Sequence, residues 1–255
     1  MRLDQFLTEN DYFSSRSKSS EAIKKGLVKV NGKIASKPSQ EVLSSSSVEV
    51  VGELSFVSRG GYKLNKALDE FSVDLTDLVF ADVGASTGGF TDCLLKRGVK
   101  KVYAIDVGKD QLDQSLKNSP AIVVMDERNA RFLTKNDFEE KLDGIVVDCS
   151  FISLKLLLPT FSALLDGTDK LFALIKPQFE CGRGYLPKSG ILKDAKVRET
   201  AVLGVISEAE SYGFRLVNIS EAPKFKDKNV EYVVYLSKEG DGLSISEVKE
   251  FLKGT

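Results

Sequence analysis

At 255 residues the chain has room for one domain of catalytic size and a smaller one beside it. Its 42% hydrophobic content supports a sizeable core, and no apolar run approaches the roughly 20 residues that span a bilayer. The net charge is -1 and there is no histidine, which excludes Ser-His-Asp chemistry and His-ligated metals and leaves proton transfer to carboxylates, lysines, cysteines or tyrosines.

The first eleven residues are charged early and lack an apolar stretch or a small-residue cleavage site, so they do not read as a signal peptide. Leu3, Phe6 and Leu7 share one face of a first short helix. Ser17 to Lys25 is a second, with Ala22 and Ile23 apolar and Gly26 as its stop. LVKV then reads as a strand, Asn31-Gly32 as a hairpin turn, and residues 48–51 as another strand, with the serine run Ser44–Ser47 as a loop. Residues 1–40 carry eight Lys/Arg against four acids, a net of +4, while the rest of the chain is net -5. That asymmetry marks a basic module, expected over residues 1–51, on a more acidic body. Arg2, Arg16, Lys18, Lys24, Lys25, Lys29 and Lys33 are its candidate RNA contacts; a merely solvated basic face is the plainer reading.

Residues 52–62 read as a linker in which Gly60-Gly61 can take backbone angles closed to other residues. Its Arg59 joins the candidate RNA contacts. From Phe80 onward apolar strands alternate with helical stretches, as at Leu154–Leu165 and Lys196–Tyr212. The pattern predicts a doubly wound, mostly parallel α/β sheet over residues 63–255. The last two strands have no helix between them and predict an antiparallel edge hairpin. Ser244 and Glu247 form a capping-box pattern for a final helix.

The sharpest local signal is Asp82-Val-Gly-Ala-Ser-Thr-Gly-Gly-Phe, directly after an apolar strand. Gly84, Gly88 and Gly89 allow a tight turn and a close ligand approach, which would also involve Ala85, Ser86 and Phe90. The spacing is neither G-x-G-x-x-G nor a phosphate loop. Asp82 would repel a pyrophosphate but suits a cationic ligand, and S-adenosylmethionine carries an ammonium and a sulfonium. A glycine turn without ligand is the alternative. Asp106 ends the next strand, where an acid can accept from ribose hydroxyls, and Asp126 ends the one after, placed for an adenine amino group. Either alone could be a helix cap.

Asp148 and Lys176 end further strands, Glu231 opens the last, and Lys63 follows the glycine pair. Each could be merely solvated; together they make a Lys-Asp-Lys-Glu set suited to taking a proton from a ribose hydroxyl without histidine. A lysine near a second cation can become a base, whereas flanking carboxylates would serve orientation and proton relay. Asp148-Cys-Ser-Phe151 has the right ends and the wrong middle for amino-group methylation of a base. Cys149 lacks an activating partner for carbon-5 methylation. Ribose methylation is favoured. Cys93, Cys149 and Cys181 show no CxxC spacing, so neither disulfides nor a metal site is expected, and the reading is a reduced, cytoplasmic protein.

Arg2-Leu-Asp-Gln-Phe-Leu7, Ser15-Arg16, Ile23-Lys-Lys-Gly-Leu-Val28 and Val30-Asn-Gly-Lys33 resemble an S4 RNA-binding domain. The rest resembles FtsJ-like ribose 2'-O-methyltransferases, and the two joined through SRGGYKL are similar to the TlyA family, whose members carry the names hemolysin and ribosomal RNA methyltransferase. The resemblance implies methylation of a cytidine ribose in ribosomal RNA within an assembled subunit. It places a Lys-Asp-Lys-Glu tetrad on Lys63, Asp148, Lys176 and Glu231, and the cofactor loop on Asp82–Gly89. A start directly at Arg2 looks like the short form, which implies a 23S target in the large subunit alone. Two other readings stand beside the enzyme. An RNA-binding assembly factor would keep RNA binding and lack methyl transfer. A membrane-lysing protein would release dye from vesicles, though no convincing amphipathic helix supports it.

Overall fold

Helical spacing of apolar residues in the first fifty positions shapes a small α+β unit. In a computed structural model, which describes residues 1–10, 12–13, 15–43, 45–52, 55–182, 184–187, 189–224 and 228–255, helix α1 spans Leu3–Glu9 and α2 spans Arg16–Lys24. Ser15 caps α2 by accepting from the Lys18 amide at 3.3 Å, and Gly26 at φ +71° ends it. Strands β1 (Val28–Val30), β2 (Lys33–Ile34) and β3 (Val48–Val50) form an antiparallel sheet in the order β2-β1-β3. Asn31 and Gly32 both take positive φ in the β1–β2 turn, as their dipeptide predicts. Leu3, Leu7, Ala22, Ile23 and Val28 have no exposed surface and form this unit's core. Ser44 of the serine run and Glu53 and Leu54 of the linker lie outside the described residues.

The second unit runs from Phe56 to Thr255, so it begins inside the expected linker. Helix α3 (Arg59–Phe71) starts before Tyr62, and Gly60 and Gly61 are helical rather than left-handed. Their smallness serves packing instead. A Cβ on Gly61 would run into the ring of Phe56, which is buried and meets Tyr62 edge-on at 5.0 Å.

Elements β4 (Val79–Val83), α4 (Gly89–Lys96), β5 (Lys101–Ile105), α5 (Gln114–Lys117) and β6 (Ile122–Met125) follow. Then come β7 (Gly144–Val147), α6 (Leu158–Leu164), β8 (Lys170–Ile175), α7 (Pro177–Glu180), α8 (Ala195–Ser211), β9 (Arg215–Glu221), β10 (Tyr232–Ser237) and α9 (Ile245–Lys253). The sheet order is β6-β5-β4-β7-β8-β10-β9, parallel except that β10 runs against both neighbours. This is the doubly wound sheet with an antiparallel edge that the sequence predicts. Ser244 and Glu247 form the expected capping box on α9.

Alternation along the strands feeds two apolar layers. Val79, Ala81 and Val83 face a layer with Phe161 of α6, Val205 of α8 and Leu252 of α9. Phe80 faces the opposite layer with Leu64 and Leu68 of α3 and Phe90 and Leu94 of α4. Each such fully buried side chain contributes about 1.5–3 kcal/mol. Helices on both faces leave the strand ends open, and the strand order reverses between the parallel neighbours β4 and β7, where open α/β sheets bind ligands. Among the described residues no helix is long and apolar enough to cross a membrane.

Candidate active site

Register along the sheet lines up the charged strand ends. Val83 pairs with Ile105 and Val147, Ile105 with Met125, and Ile175 with Tyr232. Gly84, Asp106, Asp126, Asp148 and Lys176 therefore each stand one residue beyond a parallel strand on one rim. Glu231 joins them from the start of antiparallel β10, because that strand enters the sheet where β8 leaves it.

The β4–α4 turn is shaped by residues that tolerate left-handed backbone: Gly84 at φ +80°, Ser86 at +47° and Gly88 at +88°. A Cβ on Gly84 would lie 3.0 Å from the Asp148 carbonyl oxygen. One on Gly89 would strike Ser58 Oγ and come within 3.0 Å of the Gly61 backbone nitrogen. The turn is thus pressed between the loop after β7 and the start of α3. Beneath it Asp82 is fully buried, and its Oδ2 accepts from the Thr91 amide at 2.8 Å and the Thr91 hydroxyl at 2.6 Å. Its Oδ1 is buried without a partner. Burial pushes the Asp82 carboxyl up to about 7, against the pull of the Thr91 hydrogen bonds and with help from the Asp148 and Asp106 charges.

Gly84, Ala85, Ser86, Gly89 and Phe90 line a cavity of about 200 Å³ above this turn. Asp82 lies under the turn rather than on the cavity wall. Asp106 and Asp126 are also absent from that wall. Asp106 accepts from the Ser86 and Gly108 amides at 2.8 Å each, and Asp126 from the Asp110 amide at 2.8 Å, so both brace the rim loops.

A second cavity, about 590 Å³, is walled by Lys63, Asp148, Lys176 and Glu231, together with Arg59, Gln178, Phe179, Lys228 and Asn229. All four members of the expected tetrad meet here. Lys63 Nζ sits 2.5 Å from Glu231 Oε2, and Lys176 Nζ sits 2.5 Å from Asp148 Oδ1. The latter contact is an ion pair without hydrogen-bond alignment, since Asp148 Oδ1 has no hydrogen-bond partner; Lys176 Nζ instead donates to Ser150 Oγ at 2.8 Å. Each lysine thus faces a carboxylate, not the second lysine. Ser58, Gly60, Lys63, Asp148, Ser150 and Lys176 line both cavities. That common wall is where a group held on one side could pass to an acceptor on the other.

Residues 56–238 match the family model for FtsJ-like methyltransferases, and residues 1–48 that for the S4 domain. The chain belongs to the FtsJ-like methyltransferase family. Hemolysin A of Brachyspira hyodysenteriae is 40% identical over 237 residues, 92% of this chain and 99% of that protein. The Mycobacterium tuberculosis protein named 16S/23S rRNA (cytidine-2'-O)-methyltransferase TlyA is 37% identical over 243 residues, covering 94% of this chain and 91% of that one. A solved structure of a candidate hemolysin from Streptococcus thermophilus, 34% identical, superposes with a TM-score of 0.77 over 100% of this chain and 94% of that chain.

As a member of this family the chain is a methyltransferase whose methyl donor is S-adenosylmethionine. The smaller cavity suits that donor. Its glycines let the turn pack closely against Asp148 and Ser58, and an unpartnered carboxylate oxygen lies under a turn expected to meet a ligand that carries an ammonium and a sulfonium. Asp82 couples this to pH. An acid whose folded-state value exceeds its unfolded value stabilises the fold below the unfolded value, and that contribution is lost as pH rises through the folded one. Asp82 therefore weighs increasingly against the free protein between pH 3.8 and about 7. Asp82→Asn should gain more thermal stability relative to wild type at pH 8 than at pH 5, while its S-adenosylmethionine affinity falls about tenfold, one charge-assisted interaction's worth. Melting curves at both pH values, with and without the donor, test this; an identical difference at pH 5 and pH 8 would sink it.

Burial also pushes the Cys149 thiol up to about 12, which keeps it protonated at neutral pH and unfit as a nucleophile. The sequence reading missed Ser150 and Gln178, which line the larger cavity with Phe179. Phe151 is 91% exposed at φ +63° and leans on Phe179 with ring centroids 5.2 Å apart.

In the first unit, buried Asp4 gathers two of the expected RNA contacts. Arg2 lies 2.8 Å and Arg16 3.3 Å from its Oδ2, and the Arg2 hydrogen bond, with Arg16, holds its carboxyl down to about 2. Lys18, Lys24 and Lys25 sit on or just after α2, Lys29 on β1 and Lys33 on β2, so the basic residues spread over both helix and hairpin.

Proposed function

We propose that this protein transfers a methyl group from S-adenosylmethionine to the 2'-oxygen of a cytidine ribose in ribosomal RNA, with the 23S RNA of the large subunit as acceptor. The observation that carries the reading is the wall shared by the two cavities, on which Lys63, Asp148 and Lys176 stand together. The S4 domain supports an RNA substrate. The name of the M. tuberculosis relative supplies the cytidine and includes 23S.

When bound, S-adenosylmethionine supplies an electrophilic methyl on a sulfonium, whose loss leaves a neutral thioether. Lys176 takes the proton of the ribose hydroxyl as the oxygen bonds to that methyl carbon. Asp148 orients Lys176, and Glu231 holds Lys63 beside the acceptor, where its charge stabilises the developing alkoxide. Alignment of the reactants across the shared wall supplies most of the acceleration. The donor-side contacts are Gly84, Ala85, Ser86, Gly88, Gly89 and Phe90, with Asp82, Asp106 and Asp126 acting beneath and around them. Arg59 and the basic residues of the first unit hold RNA phosphates. A ribosomal substrate implies a cytoplasmic protein.

The test is transfer of radiolabelled methyl to isolated large and small ribosomal subunits, followed by mapping of the labelled nucleotide. Label on a cytidine ribose of the large subunit supports the reading. Label confined to the small subunit removes the 23S assignment, and label on a base removes the ribose chemistry.

A further inference from the structure

Ser150 is the one uncharged side chain within hydrogen-bond reach of Lys176 Nζ among the described contacts, and it lines both cavities. It lies two residues past Asp148, on a loop that turns back through Phe151 at positive φ. We propose that Ser150 is a positioning residue for methyl transfer, fixing the direction in which Lys176 presents its lone pair to the acceptor hydroxyl. The proposal rests on the reading of Lys176 as the base in ribose methylation.

A neutral lysine amine has four tetrahedral directions, taken by Cε, two N–H bonds and one lone pair. With Cε and a single acceptor fixing two of these directions, the lone pair and the second N–H can exchange between the other two. A second partner in one of those two directions stops the exchange. Ser150 Oγ, accepting at 2.8 Å, is one such partner, and Asp148 Oδ1, an ion-pair contact at 2.5 Å without hydrogen-bond alignment, bounds Nζ from a second direction; the two arrive from the third and first residues of one loop. The remaining direction belongs to the hydroxyl whose proton Nζ receives. Once that proton has moved, the ammonium keeps the same two partners and its third N–H points along the path the proton took. No group has to reorient during the step, which is the arrangement that minimises reorganisation.

The chemical type of the second acceptor also matters. A carboxylate there would favour the charged ammonium, which has no lone pair to offer. A hydroxyl accepts the hydrogen bond without adding charge. Ser150 is itself exposed to the cavities, so its replacement does not open the core.

The experiment compares wild type, Ser150→Ala and Ser150→Thr in single-turnover methyl transfer to isolated large subunits. Affinities for S-adenosylmethionine and for the subunit are measured separately by equilibrium binding. Ser150→Ala should slow the saturated single-turnover rate about 10- to 100-fold, the range expected for a misaligned reacting group, with both affinities within about twofold of wild type. Ser150→Thr retains the hydroxyl and should recover the rate to within about threefold. Three results overturn the proposal: an unchanged rate in Ser150→Ala, equal losses in both variants, or a loss confined to either affinity. If wild type labels no RNA at all, the ribose-methylation reading falls and takes this role with it; if wild type labels RNA and Ser150→Ala matches it, only the role of Ser150 falls.

Discussion

Replacing Lys176 by alanine is expected to reduce methyl transfer at least about 1,000-fold, within the range for loss of a general base. Lys176 is 7% exposed at the end of β8, and its ammonium nitrogen is held between Asp148 and Ser150 on the wall common to both cavities. No histidine exists to stand in, and Lys63 is engaged with Glu231. Removing Lys176 also leaves the partly buried Asp148 carboxylate without its cation, a destabilisation of about 3 kcal/mol, the lower end for a buried pair. Lys176→Met keeps the aliphatic stem and its packing, so it should melt closer to wild type than the alanine variant and be equally inactive. Filter-bound label on large subunits and thermal melts measure the two effects. Residual activity above a tenth of wild type in Lys176→Met would remove Lys176 from the chemistry.

Gly84→Val carries the second large effect, on donor binding. A β-branched residue at φ +80° is strained by about 1–3 kcal/mol before any contact is counted. The added carbon would then meet the Asp148 carbonyl oxygen at 3.0 Å and Cys149 Sγ at 3.1 Å, groups tied to β7. The loop after β4 must move away from the loop after β7, which spoils the donor cavity and shifts Asp148 together. S-adenosylmethionine affinity should fall at least about 100-fold, the cost of some 3 kcal/mol. Gly98→Ala is the control: it has the same sign of φ, +78°, but its nearest neighbour would be Thr76 at 3.5 Å, away from either cavity. It should lose stability and keep donor affinity. Equal affinity losses in the two variants, measured by calorimetry, would show that backbone strain alone is responsible.

Much of the site is legible in the chain because strand ends are legible. Short apolar runs closed by Asp82, Asp106, Asp126, Asp148 and Lys176 announce both the parallel sheet and its functional rim. The antiparallel entry of β10, and so the presence of Glu231 at that rim, follows from two strands without a helix between them. What resists reading is whatever depends on two loops meeting. Gly60 and Gly61 carry no mark that separates a left-handed turn from a tightly packed helix; the ring of Phe56 decides it. Asp106 and Asp126 sit where an acid could meet a ligand, yet their hydrogen bonds go to loop amides, a choice set by local turn geometry. Ser150 gains meaning only because Lys176, 26 positions later in the chain, donates to it.

The opposed direction of β10 has a consequence for how such enzymes diversify. The strands that frame the donor, β4 to β6, lie on one side of the switch point, while β8 and β10 with their flanking loops lie on the other. Residues 189–191, 222–223 and 228–229 line the larger cavity and are absent from the wall of the smaller one beside the glycine turn. The two halves can therefore be edited separately: exchanging those lining segments is expected to re-tailor what is methylated and to leave the smaller cavity intact.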